Sequence, residues 1–210
     1  MKLALFCLLA GVLPGWSETR GAMFAPITLY TQFQQAPPEG VLQALRDEVE
    51  AIMAPIGLRF EWRDLSKTQG HEVSAELAVV TFKGRCDTVG LTTRSKYEGA
   101  LGWTHVSDGQ ILPFTDISCD RVREFAQSGL LTFRMENREE KYGRALGRVL
   151  AHELYHIFAN TTRHGSVGVA KESYSVTDLL TDDFQFQAKE SHLLQTNRPR
   201  PAVEGAAGTM

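Results

Sequence analysis

Cysteine is scarce in this chain, with three residues among 210, and net charge is small as well. Lys and Arg number 22 against 25 Asp and Glu, giving a formal charge of −3. So weak an acidic balance creates no long-range field that would draw in nucleic acid or an anionic membrane surface, and neither is expected as a partner. Long apolar runs are missing too: Leu3–Leu13 is too short for a membrane span, which needs about 20 apolar residues. No internal repeat and no domain linker interrupts the sequence. With 43% hydrophobic residues, a chain of this length can bury one core of ordinary size, so a single domain is expected.

What the N-terminus does contain reads as a secretory signal peptide over residues 1–17. Lys2 precedes the apolar run, Pro14 and Gly15 break it, and Ser17 offers a small residue at a cleavage point. An uncleaved anchor is the alternative. Removal of the segment takes Cys7 with it and leaves Cys86 and Cys119, an even number in an oxidising compartment. A disulfide between them is the natural inference, with two buried thiols as the alternative. The protein is then expected to be secreted or periplasmic. Its domain is expected over residues 18–195, followed over 196–210 by a disordered tail rich in proline, glycine and alanine.

Between these ends the patterning is that of an α+β domain. Ile27 to Phe33 alternates as a strand does. From Val41 the apolar residues Leu42, Leu45, Val49, Ile52 and Met53 recur at helical spacing until Pro55 and Gly57 stop the helix. Leu58 to Leu65 alternates again, and Ala75 to Phe82 is apolar almost throughout, as a central strand would be. Gly102 to Phe114 carries a hairpin signal with Asp108-Gly109 at its turn, and Asp120 to Leu131 predicts a helix. A long helix is predicted from about Glu139 to Ala159, apolar around much of its circumference and therefore buried on several sides, and a shorter one from Val176 to Phe184.

The chemistry concentrates in the long helix. Half of the six histidines fall in one window, His152-Glu153-Leu154-Tyr155-His156 and then His164. On a helix turning by about 100° per residue, His152 and His156 lie one turn apart on one face, so both rings can reach one ion. Glu153 sits one residue round. A hydrolytic zinc site uses three protein ligands and leaves the fourth position to water, whose proton a neighbouring carboxylate can accept. No cysteine lies nearby, which argues against the closed, thiolate-rich kind of structural site. Asn160, which tolerates left-handed backbone, is expected to end the helix, and Thr161, Thr162 and Arg163 to form a return loop to His164.

These residues resemble the zincin metallopeptidases, whose mark is H-E-x-x-H on a helix. Among zincins, the metzincins extend the motif to H-E-x-x-H-x-x-G-x-x-H. Here Ala159 holds the glycine position, Thr162 the third-ligand position, and the histidine comes at His164. No methionine lies between His164 and the tail to supply a Met-turn. The resemblance covers mainly Arg138 to Leu180. It implies one Zn2+ held by His152, His156 and His164, Glu153 as general base, and a peptide or protein substrate. It also suggests Tyr174 as donor to the tetrahedral transition state. A thermolysin-like alternative takes a downstream acid as third ligand, Glu172 or, more weakly, Asp178. A different class of reading is a non-catalytic binding protein with the same fold, against which Glu153 argues. The implied architecture is a twisted mixed sheet, a backing helix, an edge strand above a cleft and a long buried active-site helix.

Overall fold

The computed structural model describes residues 26–93, 99–181 and 183–197. The expected signal peptide, and the expected tail from residue 198 onward, lie outside the described residues. The fold is α+β around a five-stranded mixed sheet of order β2-β1-β3-β5-β4. β1 (Ile27–Phe33) leads into α1 (Glu39–Met53), which returns the chain to β2 (Phe60–Asp64), parallel to β1 with Ile27 opposite Phe60. β3 (Leu77–Lys83) pairs in parallel on the other side of β1, so β1 and β3 are interior strands. β3 buries alternate residues, with Ala78, Val80 and Phe82 fully buried, whereas β1 is buried at every position from Ile27 to Thr31.

β4 (Gly102–Ser107) and β5 (Gln110–Ser118) form the expected hairpin. Asp108 and Gly109 both have positive φ (49° and 75°), which a tight two-residue turn between twisted strands requires. β5 runs parallel to β3, leaving β4 as the antiparallel edge strand. α2 (Cys119–Leu130) follows, then the long α3 (Met135–Phe158), α4 (Val176–Leu180) and α5 (Ala188–Thr196). Leu45 and Val49 of α1, Leu146, Leu150 and Leu154 of α3 and the inward residues of the sheet make one core. α1 and α3 approach closely because α3 carries glycine where they meet: a methyl group on Gly147 would stand 2.8 Å from the Leu45 carbonyl oxygen. Cys86, after β3, is disulfide-bonded to Cys119 at the start of α2.

β5 runs on to Ser118, four residues past the expected Phe114, and the helices differ most from expectation in three places. α3 begins at Met135, not Glu139, because the polar stretch around Asn137 forms its first turn: Glu136 sits favourably at the positive end of the helix, and Arg138 donates to the Phe133 carbonyl at 3.1 Å. The helix predicted over Val176 to Phe184 stops at Leu180, where Thr181 turns extended and its carbonyl accepts from Arg144. α5 was not foreseen. Its apolar pattern is weak, with only Glu190 and Leu194 buried, and it reaches Thr196, one residue past the expected domain end.

Candidate metal centre

α3 is 24 residues long and its last turns are buried, with His152, Glu153 and His156 each less than 10% exposed. Asn160 takes the expected left-handed conformation (φ 46°) and ends the helix. The chain then doubles back, so that the Thr161 carbonyl meets Nδ1 of His156 at 2.7 Å. Beyond His164, residues 165–171 close on themselves: the Gly165 amide donates to the Ala170 carbonyl at 2.7 Å, and Gly168 turns at φ 69°. This loop sets the Val169 carbonyl 2.8 Å from Nδ1 of His152.

Those two carbonyls decide where the imidazole protons are. A carbonyl oxygen only accepts, so each Nδ1 must donate and each Nε2 is left with a bare lone pair. The two Nε2 atoms face each other at 3.1 Å. Two acceptors at that distance repel unless a cation lies between them. A proton is a poor candidate, because burial pushes His152 down to about 3, and burial lowers His156 too, against the Thr161 carbonyl. His164 completes the group: its ring stacks on His152 with centroids 5.2 Å apart and meets His156 edge-on at 4.8 Å. Ligand atoms of the three histidines all lie within 4.8 Å of one another, an arrangement that could hold a metal ion. Nitrogen ligands about 2.0–2.1 Å from a tetrahedral ion stand roughly 3.4 Å apart, close to the His152–His156 separation. His164 lies on the exposed side of the group.

Glu153 is 5% exposed, and its Oε2 accepts from the Thr104 hydroxyl of β4 at 2.7 Å. Burial pushes its carboxyl up to about 7, against the opposing effect of Thr104. Gly102 makes room for it, since a methyl group there would lie 3.1 Å from both Cγ and Oε1 of Glu153 and 2.9 Å from Ile117 Cδ1. The three histidines and Glu153 border a cavity of about 520 Å3, whose other walls include Leu101, Phe125, Val149, Val106 and Ile111.

Tyr174 lines the same cavity, but its hydroxyl lies 2.8 Å from Nδ1 of His152 and also contacts the Val169 carbonyl. Glu172 is exposed at the cavity wall, outside the cluster of ligand atoms. Asp178 is engaged elsewhere: its Oδ2 accepts from Lys171 at 2.8 Å and from the Ser175 amide at 2.6 Å, capping α4. His105 points away from the cleft and bonds Asp116 at 2.8 Å beside Lys83. Side chains alternate along a strand, so when His105 faces outward its neighbour Thr104 faces Glu153. That alternation was the available signal for Thr104. Nothing in the residue types at Thr161 and Val169 marks their carbonyls as histidine partners.

No family model, curated protein or solved structure matches the chain. The site therefore rests on its own geometry.

Proposed function

We propose that this protein is a secreted or periplasmic zinc-dependent peptidase of zincin type, with His152, His156 and His164 as ligands. The observation that carries the reading is the pair of Nε2 atoms facing each other at 3.1 Å, each ring with its Nδ1 on a carbonyl oxygen, beside the buried Glu153 carboxyl in an open cleft. The parallel strands ending in an antiparallel edge strand beside the H-E-x-x-H helix support it further. Zinc among three imidazoles supplies Lewis acidity and a water of lowered pKa. The rest is done by the chain itself. Glu153, buried one residue round the helix from the ligand His152, is the carboxyl group placed to take a proton and pass it on. Thr104 grips Oε2, which leaves Oε1 to receive that proton. β4, at the edge of the sheet, offers backbone groups to an extended peptide, and the apolar cavity beside Val149 and Phe125 takes a large apolar side chain. The disulfide accords with an oxidising compartment.

A binding protein with a purely structural ion would have no need of a carboxylate poised beside an open position. Replacement of Glu153 by Gln separates the two readings. The amide keeps the volume and cannot accept the proton, so Glu153→Gln should retain one equivalent of zinc and lose hydrolysis of an unfolded protein by roughly 100-fold or more. Undiminished turnover in that variant would remove Glu153 from the reaction, and absence of zinc from the purified wild type would remove the metal.

A further inference from the structure

We infer that Tyr174 is a positioning residue for the ligand His152, acting from behind the ring, and not a donor to the substrate. The inference rests on the proposed metal site and assigns Tyr174 a place within it. The phenol has a single proton, and the Val169 carbonyl, which only accepts, takes it. The hydroxyl oxygen can then only accept from Nδ1 of His152, 2.8 Å away. Nδ1–H is thus shared between two oxygens, the Val169 carbonyl at 2.8 Å and the Tyr174 hydroxyl. Imidazole nitrogens direct their bonds to diverging sides of the ring, so a group bonded at Nδ1 stands on the far side from Nε2. A hydroxyl there cannot also reach an oxyanion forming beside Nε2.

The surroundings hold the phenol in this place. Its ring stands edge-on to His152 with centroids 5.5 Å apart and rests on Phe184 at the same separation. The following residue, Ser175, caps α4 with Asp178, so the start of that helix anchors the tyrosine's backbone. Partners on the far nitrogen of a metal-binding histidine fix its tautomer and orientation, and their removal typically weakens metal binding by about 10- to 100-fold. Val169 alone would still hold the tautomer; Tyr174 adds the second bond that stops the ring from rocking about it.

The test measures metal affinity, which a substrate donor would not alter. Zn2+ and Co2+ dissociation constants are obtained by competition with a chelator for the wild type and for Tyr174→Phe, which keeps the contact with Phe184. Thermal melting of both metal-free proteins is followed alongside. The expected result is a loss of affinity of about 10-fold or more, an altered visible spectrum of the Co2+ form, and an unchanged metal-free melting temperature. Unchanged affinity in Tyr174→Phe, with the wild type binding one metal, overturns the inference and leaves the metal site standing. So does a fall in the metal-free melting temperature that accompanies the affinity loss, since the role would then be general packing. A wild type that binds neither ion overturns both.

Discussion

At the residue scale, the two short carbonyl contacts at His152 and His156 do more than the motif itself, because they leave both Nε2 atoms bare. The third ligand separates the two ligand sets open at the sequence level. His164→Ala should lose zinc steeply on dialysis against a mild chelator, whereas Glu172→Ala should retain it; the reverse pattern would make the carboxylate the ligand. Glu153 gives a pH prediction for the metal-free protein. Its folded pKa, about 7, lies above the usual 4.5, so the folded state holds the extra proton between those values and stability falls as pH rises through that window. His152 acts oppositely at the acid end: with a folded pKa of about 3 against 6.5, it costs stability as pH drops below 6.5. Urea melts with chelator present should therefore find Glu153→Gln more stable than wild type at pH 8, by up to about 3 kcal/mol. The advantage should largely vanish at pH 5. An equal difference at both pH values would mean that the buried charge is not its source.

At the scale of elements, the end of α3 is buried because the sheet, α1, α4 and the 165–171 loop pack around it, and Arg148 ties α1 to α4. It is completely buried one turn before His152, paired with Glu48 of α1 at 2.6 Å, bonded to the Asp178 carbonyl of α4 at 2.6 Å, and stacked over Phe184 at 4.8 Å. Removing one member of a buried ion pair strands the other, so Arg148→Met should lower unfolding free energy by roughly 3 kcal/mol. Chemical denaturation would measure it, and a change near zero would mean that Glu48 is satisfied by Arg144 alone, which it also bonds at 3.1 Å. β1 to β5, α1, α2 and α3 were legible from residue patterning: α1 and α2 each bury one stripe, β3 buries alternate residues, α3 is apolar on several sides, and the β4–β5 hairpin is marked by Asp108-Gly109. The end of α4 and the whole of α5 were not. α4 is capped by a local Ser175–Asp178 box, but at its other end the extended Thr181 gives its carbonyl to the distant Arg144, and α5 has too thin an apolar face to register as amphipathic.

At the scale of the whole molecule, the disulfide joins the segment leaving β3 to the start of α2, across 33 residues that include the β4–β5 hairpin and hence the cleft's edge strand. Closing a loop of that size contributes about 3–4 kcal/mol in the chain-entropy picture. The double variant Cys86→Ser, Cys119→Ser should be less stable by about that amount in urea. Two titratable thiols in the unreduced, unfolded wild type would contradict the pairing. Among the described residues no helix is long and apolar enough to cross a membrane.

The sequence alone determined the order and type of most elements and brought His152, Glu153 and His156 together, because a helix repeats every 3.6 residues and needs no tertiary information to set neighbours one turn apart. It also pointed to Asn160 as the helix end and to the single pairing open to Cys86 and Cys119. The tertiary structure alone decided which groups stand behind those side chains. The Val169 and Thr161 carbonyls carry no residue-type signature, since every residue has one. Thr104 reaches Glu153 only because the edge strand lies along α3, and the Tyr174 hydroxyl falls on the far nitrogen of His152 because the loop before α4 returns beneath the helix. Contacts made through backbone, or between residues far apart in the chain, depend on how the elements pack, and local periodicity contains no record of that packing.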